Sequence, residues 1–298
     1  MELGVAGIIA IVGILFGLTF VGLFVAAYLF DRRTSYVVYY LWAAVAFMAN
    51  GASYLLSMVT PYTAFFLVWV ELFQGLGFIA LAHGFANGLG IGLSRRFVWI
   101  LFAIGTVTTI MLAGLDEINV PRLAAISAWH AIVSAYLAVL LLRAPDAGFK
   151  HRFLAVLAIG PVIAAMSRPI AAYVLHLDPS LTYAARVDAY GSIVNLAYLT
   201  ALFGIGAGAF FHVMSELAAG YRTAALTDSL TGLFNRRGFI EAVARETGGP
   251  AALIMADIDR FKSINDTFGH DTGDEVIVAV AAILARAAPA PHVCGRLG

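Results

Sequence analysis

Two carboxylates stand one residue apart near the C-terminal end of the sequence. A short apolar run, residues 251–258, follows the chain breakers Gly248-Gly249-Pro250 and predicts a buried strand. Asp257 and Asp259 lie at its end, and side chains at alternate positions of a strand share one face. Proteins commonly hold Mg²⁺ with one or two carboxylates while substrate phosphates supply other ligands. The spacing therefore predicts a magnesium site at the end of this strand.

The residues after this pair have the side chains that a nucleotide needs. Arg260, Phe261 and Lys262 form the predicted turn out of the strand, where free backbone N–H groups can meet phosphate. The Lys262 ammonium adds a positive charge suited to a triphosphate. Farther along, Asn265 supplies an amide and Asp274 a carboxylate, and both groups can bond the edge of a guanine base. An isolated Asp-x-Asp triplet more often only caps a helix, so the prediction depends on the whole set.

The surrounding pattern predicts the elements that hold these residues. Residues 228–237 indicate a turn and a helix start, and Gly269 and Gly273 allow the chain to turn between short helices. The predicted elements are a helix over 238–247, the strand over 251–258, a helix over 273–288 and a strand over 292–297.

Residues Asp228–Arg237 and Asp257–Glu275 resemble the GGDEF family of diguanylate cyclases nearly residue for residue. The resemblance covers about residues 224–298, and it implies a homodimer in which two GTP molecules, one on each protomer, form cyclic di-GMP. It implies Mg²⁺ or Mn²⁺ as cofactor, with the Asp257 carboxylate and the Ile258 carbonyl as ligands, and Lys262 as the catalytic group on the phosphates. The implied substrate contacts are Phe261, Asn265, His270 and Asp274. For His270, a solvated position in a helix turn is an equally good interpretation.

The sequence departs from the family pattern at two places. It ends at Gly298, where the first glycine of the family's signature would fall, so we expect this fragment to be inactive. An Arg-x-x-Asp product-inhibition site precedes the signature in many members. Here the corresponding stretch is Pro289-Ala290-Pro291-His292, so we expect no product inhibition through that site.

The composition of the remaining chain is that of a membrane protein. Of its 298 residues, 61% are hydrophobic and 12% charged, whereas about a quarter of a soluble chain is charged. Seven apolar runs are near the roughly 20 residues that a spanning helix needs. They are Leu3–Phe30, Tyr36–Met58, Tyr62–Phe85, Phe97–Leu115, Leu123–Leu142, Phe153–Leu177 and Val187–Val213.

The predicted fold is therefore mainly α. A seven-helix transmembrane module occupies residues 1–214, a linker helix 215–226, and a truncated α/β GGDEF domain 227–298. The linker has an apolar stripe that would suit either a dimer contact or a plain amphipathic connector.

Basic residues predict the orientation of the module. They cluster in the first, third and fifth connections, for example Arg32 and Arg33, or Arg95 and Arg96. The positive-inside rule then places the C-terminus in the cytoplasm and the N-terminus outside, as expected for an inner-membrane protein of bacteria that uses cytosolic GTP. A single cysteine, Cys294, excludes an internal disulfide framework, and a net charge of zero gives no reason to expect a nucleic-acid partner.

Polar residues inside the predicted spans lie at similar depth, about 8–10 residues from the outer ends of five helices. Glu71 with Arg168 is the expected ion pair, and aromatics such as Trp69 and Trp129 are expected to line the layer. Interhelical hydrogen bonding and a sensory pocket explain this layer equally well. The candidates are Asn50, Glu71, Gln74, His130, Arg168 and Asn195.

Two other functional classes remain open from sequence. One is a receptor without catalytic activity, whose degenerate domain binds GTP or a partner protein. The other is a transporter, although no broken-helix inverted repeat supports it.

Overall fold

The computed structural model describes residues 4–32, 34–115, 118–144, 148–245, 252–288 and 292–298. These fall into two compact units, residues 1–214 and residues 215–298. The product-inhibition stretch at 289–291 lies outside the described residues.

The N-terminal unit is made of helices. Their bounds are α1 Val5–Phe30, α2 Val37–Val59, α3 Thr63–Gly88, α4 Arg95–Met111, α5 Val120–Arg143, α6 Phe149–His176 and α7 Tyr183–Leu226. Local signals fix several starts. Ser94 accepts a hydrogen bond from the Phe97 N–H at the start of α4, and Asn119 accepts one from the Arg122 N–H at the start of α5.

Six of the helices are long and apolar enough to cross a membrane, namely all except α4. The fourth predicted span, residues 97–115, is therefore not confirmed at its predicted length. Helix α4 has 17 residues, or about 26 Å at about 1.5 Å per residue, which is short of the roughly 30 Å of a hydrocarbon core. Residues 112–115 after it form turns, with the Leu115 N–H bonded to the Leu112 carbonyl.

Helix α7 is longer than predicted, since one helix of 44 residues covers both the last predicted span and the predicted linker. The division between the two units falls inside it.

Glycines allow large rings to wedge between helices in the N-terminal unit. A β-carbon at Gly75 on α3 or at Gly105 on α4 would collide with the Trp129 indole of α5. One at Gly84 would likewise meet the ring of Tyr40, which is completely buried. Small residues at such contacts are what let membrane helices approach closely.

The C-terminal unit contains three further helices, α8 Arg236–Val243, α9 Phe261–Phe268 and α10 His270–Ala287. Both helices predicted here are present with shifted bounds. The helix predicted over 238–247 corresponds to α8, and the one predicted over 273–288 corresponds to α10. Two isolated β-bridges, Thr227 with Phe234 and Phe234 with Gly295, are the β pairing within the described part of this unit.

The two predicted strands are not observed, so the α/β character of this unit is not confirmed. Leu253, Ile254 and Met255 are 71%, 87% and 79% exposed rather than buried. A strand forms only when neighbours satisfy its backbone groups, and no strand lies beside residues 252–258 in the described chain. The segment 292–297 pairs only at Gly295, through one parallel bridge.

Candidate functional site

The candidate nucleotide site lies around the turn between α9 and α10. The turn is made by Gly269, whose φ of 87° is in the left-handed region that favours glycine. Its N–H donates to the Asn265 carbonyl at 2.9 Å and closes the end of α9. This short connection brings the last turns of α9 against the first turns of α10.

Asn265 and Gly273 touch across this helix pair. A β-carbon at Gly273 would occupy the place of Asn265 Oδ1 and would lie 3.3 Å from the ring of Phe261. Only a glycine therefore lets the amide of α9 lie flat against α10. Asp274, the predicted second guanine contact, is the next residue on α10 and is exposed.

Asn265 Oδ1 is buried and accepts no hydrogen bond from the described residues. Leaving a buried acceptor unbonded costs about 1–3 kcal/mol. Such an atom marks a place where a donor from a ligand would be stabilising. The N–H groups of a guanine edge are donors of this kind.

The predicted phosphate residues begin α9. Phe261 and Lys262 are its first two residues, and the Lys262 side chain is exposed. Arg260, just before them, has a φ of 57° and is the one described non-glycine residue with positive φ. A conformation of this type costs of order 1–3 kcal/mol and is often found at functional sites. It turns the chain sharply between the predicted metal ligands and the helix.

The predicted metal ligands are adjacent and face no other acidic cluster. Asp257 is exposed, and its Oδ1 accepts from the Ile258 N–H at 2.9 Å. The Ile258 carbonyl accepts from the Phe261 N–H at 3.3 Å and retains a second lone pair. Within the described ranges, no three His, Cys, Asp or Glu side chains converge in a way that could hold a metal.

This donor set still fits a hard divalent cation. One carboxylate and one carbonyl oxygen suffice where phosphates and water complete the ligands of Mg²⁺. His270 is the first residue of α10 and is exposed, which agrees with its interpretation as a solvated residue as well as with a ligand contact.

An ion pair that sequence reasoning missed ties the two ends of the C-terminal unit together. Arg296 Nη1 lies 3.2 Å from Asp228 Oδ1, and the Arg296 N–H donates to the Phe234 carbonyl at 2.7 Å. Thr231 donates to the same Asp228 oxygen from its hydroxyl and its N–H. The Thr231 hydroxyl first, and the Arg296 guanidinium in addition, hold the pKa of Asp228 below its usual value.

Asn235 completes this arrangement. Its Oδ1 accepts from the Gly238 N–H at the start of α8, while its Nδ2 donates to the carbonyls of Ala225 and Thr227. The stretch 228–237 therefore joins the end of α7 to α8 and to residues 294–296. Asp228, Thr231 and Asn235 thus have structural partners, and the predicted nucleotide contacts are on α9 and α10.

The second group of candidate residues lies inside the N-terminal unit. Arg168 on α6 donates to both carboxylate oxygens of Glu71 on α3, with Nη1 2.9 Å from Oε2. Both side chains are buried, at 7% and 8% exposure. A bidentate arginine–carboxylate pair is among the strongest polar contacts in proteins. Burying a charge costs free energy, and each partner of the pair offsets that cost for the other.

His130 on α5 joins this ion pair at longer range. The ring is completely buried, and its Nε2 lies 3.9 Å from Glu71 Oε2, beyond hydrogen-bonding distance. Its Nδ1 lies 3.2 Å from the Ile126 carbonyl, so Nδ1 is the donor. The Trp129 ring lies beside it with centroids 3.8 Å apart. Gln74, one turn from Glu71, is buried as well.

The two asparagines of the predicted layer lie elsewhere, in the wall of a cavity. This cavity of about 90 Å³ is formed mainly by α1, α2 and α7, and both Asn50 and Asn195 line it. Asn50 Nδ2 donates to the Val70 carbonyl at 2.7 Å. Glu71, His130 and Arg168 are absent from the cavity wall. The predicted layer thus consists of a charged cluster and a separate cavity.

The two tryptophans expected to line the layer differ in position. Trp129 contacts His130, whereas Trp69 is 39% exposed and stacks on Phe73 of its own helix. Sequence reasoning missed Tyr198, whose ring lies 5.2 Å from the Arg168 guanidinium and also lines the cavity. A tyrosine in an apolar span gives no pattern that would have identified it.

Comparison with known proteins agrees with the resemblance of the C-terminal unit. Residues 225–298 match the family described as "Diguanylate cyclase, GGDEF domain". A diguanylate cyclase of Vibrio cholerae is 47% identical over 78 residues, which is 24% of each chain. The response regulator PleD of Caulobacter vibrioides is 49% identical over 67 residues, covering 20% of this chain and 15% of the relative.

A third relative, the probable diguanylate cyclase DgcC of Escherichia coli, is 43% identical over 77 residues, covering 24% of this chain and 21% of the relative. The chain therefore spans about a quarter or less of the length of these curated relatives. No solved structure matches the chain. Residues 225–298 are accordingly similar to a segment of GGDEF diguanylate cyclase domains, and the chain also has six helices able to cross a membrane.

Proposed function

We propose that this protein is a membrane-bound sensory diguanylate cyclase, which makes cyclic di-GMP from two molecules of GTP. The observation that carries the proposal is the orphaned Asn265 acceptor on α9, beside Gly273 and Asp274 of α10. An acceptor from Asn265 and another from Asp274 match the donor groups of guanine. The similarity of residues 225–298 to cyclase domains supports the same ligand.

In this proposal the start of α9 holds the triphosphate. The Lys262 ammonium neutralises phosphate charge and stabilises the charge that develops during transfer. Asp257 and the Ile258 carbonyl would hold Mg²⁺ or Mn²⁺, which supplies Lewis-acid polarisation of the phosphoryl oxygens when bound. The Phe261 ring, at the start of α9, lies against Gly273 of α10.

The reaction itself is a double phosphoryl transfer between two protomers. The 3′-hydroxyl of one GTP attacks the α-phosphorus of the other, an ester bond forms, and pyrophosphate leaves with the electron pair of the broken bond. The 3′-hydroxyl of the second GTP then attacks the α-phosphorus of the first in the same way, and this second step closes the ring. The protein's part is positioning, so two copies of the domain must face each other, and we propose a homodimer as the active form.

The N-terminal unit is proposed to be the sensor. Its helices suit a bacterial inner membrane, and we propose that the short α4 crosses it together with the six longer helices. With seven crossings, the basic residues of the odd-numbered connections favour a cytoplasmic position for the C-terminal end of α7, where GTP is present. A buried ion pair is weak evidence for stability alone, since replacement by apolar residues is often neutral or stabilising. Intramembrane charge of this kind commonly marks a functional site.

The test is GTP turnover by the protein, including any residues that its gene encodes after Gly298. Asp257→Asn should abolish cyclic di-GMP formation, and Lys262→Ala should reduce kcat strongly. Asn265→Ala should mainly raise KM, because it removes a contact that substrate and transition state share. Asp266→Ala, which removes an exposed carboxylate from the same helix, is the matched control and should leave both constants unchanged.

The outcomes separate two functional classes. Turnover near the wild-type rate in Asp257→Asn contradicts the metal role. GTP binding that depends on Asn265, without any turnover in the wild-type protein, favours a non-catalytic receptor whose GGDEF domain only binds nucleotide.

A further inference from the structure

We propose that the cavity between α1, α2 and α7 binds a small, uncharged, membrane-soluble molecule that carries a hydrogen-bond-accepting oxygen. This inference rests on the proposed sensory role of the N-terminal unit and names the chemistry of the ligand. The cavity lies within that unit and has about 90 Å³ of free space, which is room for several waters or for a small ligand.

The wall of the cavity selects against charge. Its side chains are mostly aromatic and aliphatic, and none of the described residues that line it is acidic or basic. Transfer of an ion into such surroundings without a partner is strongly unfavourable. Rings such as Phe20, Phe47 and Phe203 instead offer flat apolar surfaces to a ring or a short hydrocarbon body.

Asn195 gives the cavity its polar specificity. Its Nδ2 is buried and has no acceptor among the described residues, and the residue belongs to the cavity wall. Rotation about the terminal torsion of an asparagine is soft, so the donor can turn toward an occupant. A carbonyl or ether oxygen on the ligand would satisfy it, which a pure hydrocarbon could not do.

Part of the cavity wall is exposed. Phe16 of α1 and Phe203 of α7 both line the cavity, and their ring centroids are 5.1 Å apart. They are 37% and 49% exposed. In the proposed membrane setting, these two rings would be accessible to a molecule dissolved in the bilayer.

An occupant would touch one residue that contacts the charged cluster and another that bonds to the backbone beside it. Tyr198 lines the cavity and lies under the Arg168 guanidinium at 5.2 Å. Asn50 lines it too and donates to the carbonyl of Val70, the residue before Glu71. Ligand binding would therefore change the surroundings of the Glu71–Arg168 ion pair between α3 and α6.

The test uses the full protein in vesicles of phosphatidylethanolamine and phosphatidylglycerol, with 4-azidoacetophenone as a photoreactive probe and peptide mass spectrometry to locate the label. The label should map to cavity residues of α1, α2 and α7. Acetophenone should compete at least tenfold better than ethylbenzene, which has a similar shape without the oxygen, and benzoate should not compete.

A variant pair sharpens the test. Asn195→Leu should lower the labelling at least tenfold. Thr200→Val, on the same helix, removes an exposed hydroxyl that bonds only to the Leu196 carbonyl within α7, and it should label like wild type. The competition between acetophenone and ethylbenzene needs no variant and stands even if Asn195→Leu fails to fold.

Three results would overturn the proposal: label spread over the lipid-facing residues, equal competition by the two competitors, or unchanged labelling of folded Asn195→Leu. Equal competition would mean that the cavity accepts any hydrocarbon, including a lipid chain. The labelling is read on the N-terminal unit and needs no GTP turnover. Its failure with an active cyclase therefore refutes this inference alone, and its success with an inactive one refutes only the proposed enzyme.

Discussion

Arg168 and Glu71 are 97 residues apart in the sequence, yet the Arg168 guanidinium donates hydrogen bonds to both carboxylate oxygens of Glu71 inside the N-terminal unit. The contact joins α6 to α3 at a position where both side chains are buried. His130 and Tyr198 add α5 and α7 to the same neighbourhood. One polar cluster thus connects α3 to three consecutive helices, α5, α6 and α7.

Glu71→Gln should destabilise the N-terminal unit by about 3–5 kcal/mol, because it leaves the Arg168 charge buried without its partner. Unfolding in mixed detergent micelles measures the loss. Asp188→Asn makes the same chemical change at an exposed site of α7 and should cost little. The double change Glu71→Leu with Arg168→Met should recover most of the lost stability. A Glu71→Gln variant as stable as the Asp188→Asn control would contradict the pairing.

The contact between Asn265 and Gly273 should appear as coupling between two substitutions. Gly273→Ala alone should destabilise the α9–α10 pair, because its β-carbon meets Asn265 Oδ1. In an Asn265→Ala background the same change should be almost neutral, which gives a coupling of about 0.5–3 kcal/mol. Denaturant unfolding measures the cycle. Gly220→Ala, where nothing lies within 4 Å of the added carbon, is the control and should not depend on Asn265.

The reactivity of Cys294, the one cysteine of the sequence, should depend on the ion pair of Asp228 with Arg296. Arg296→Ala should speed labelling of this thiol by a pyridyl disulfide, because the contact that holds residues 294–296 beside Phe234 is weakened. Arg286→Ala, an exposed arginine of α10, should leave the rate unchanged. Equal rates in all three proteins would show that the ion pair does not hold this segment.

The same contact should weaken in acid. The pKa of Asp228 is lowered in the folded protein, so its stabilisation is fully present above the unfolded value of about 3.9 and is lost as the pH falls through the folded value. The labelling rates of Cys294 in the wild-type protein and in the Asp228→Asn variant should therefore differ at neutral pH and converge only when the pH falls below the lowered folded pKa of Asp228. A difference that persists in acid would contradict the charge-based account.

Residues 1–298 alone are expected to make no cyclic di-GMP. The segment that carries Asp257 has no strand beside it among the described residues, and its apolar side chains at 253–255 are exposed. A carboxylate that is not held in a fixed position cannot orient a metal ion and the substrate for reaction. Conversion of GTP by this purified fragment above a blank would refute the expectation. The Asp257→Asn variant of the same fragment controls for contaminating enzymes.

Local patterns in the sequence were enough to predict the helices and the glycine turn of the candidate site. Apolar runs of about 20 residues predicted where the long helices lie. The cap at Asn119 was not predicted, since the fifth span was expected to begin at Leu123. Gly269 supplies the only backbone that turns between α9 and α10 without strain. The Glu71–Arg168 pair was predictable because so few charged residues lie within the apolar runs, and isolated charges there need partners.

The strands and the site's exact partners were not predictable in this way. A strand depends on neighbours that may lie anywhere in the chain, so residues 252–258 have the composition of a strand and lack its hydrogen bonds. The pairing of Asp228 with Arg296 joins residues 68 positions apart, and no local pattern encodes it. Equal depth likewise could not distinguish the charged cluster from the cavity of Asn50 and Asn195, because depth says nothing about which way a side chain points around its helix.

The wedge of Trp129 between the glycines of α3 and α4 gives the N-terminal unit an optical signal of its own. Trp129 is 5% exposed, whereas Trp42, Trp69 and Trp99 are 64%, 39% and 48% exposed. Its indole lies beside the His130 imidazole. In a variant that keeps Trp129 as its single tryptophan, the emission would therefore report how closely α3, α4 and α5 pack, without any label added to the protein.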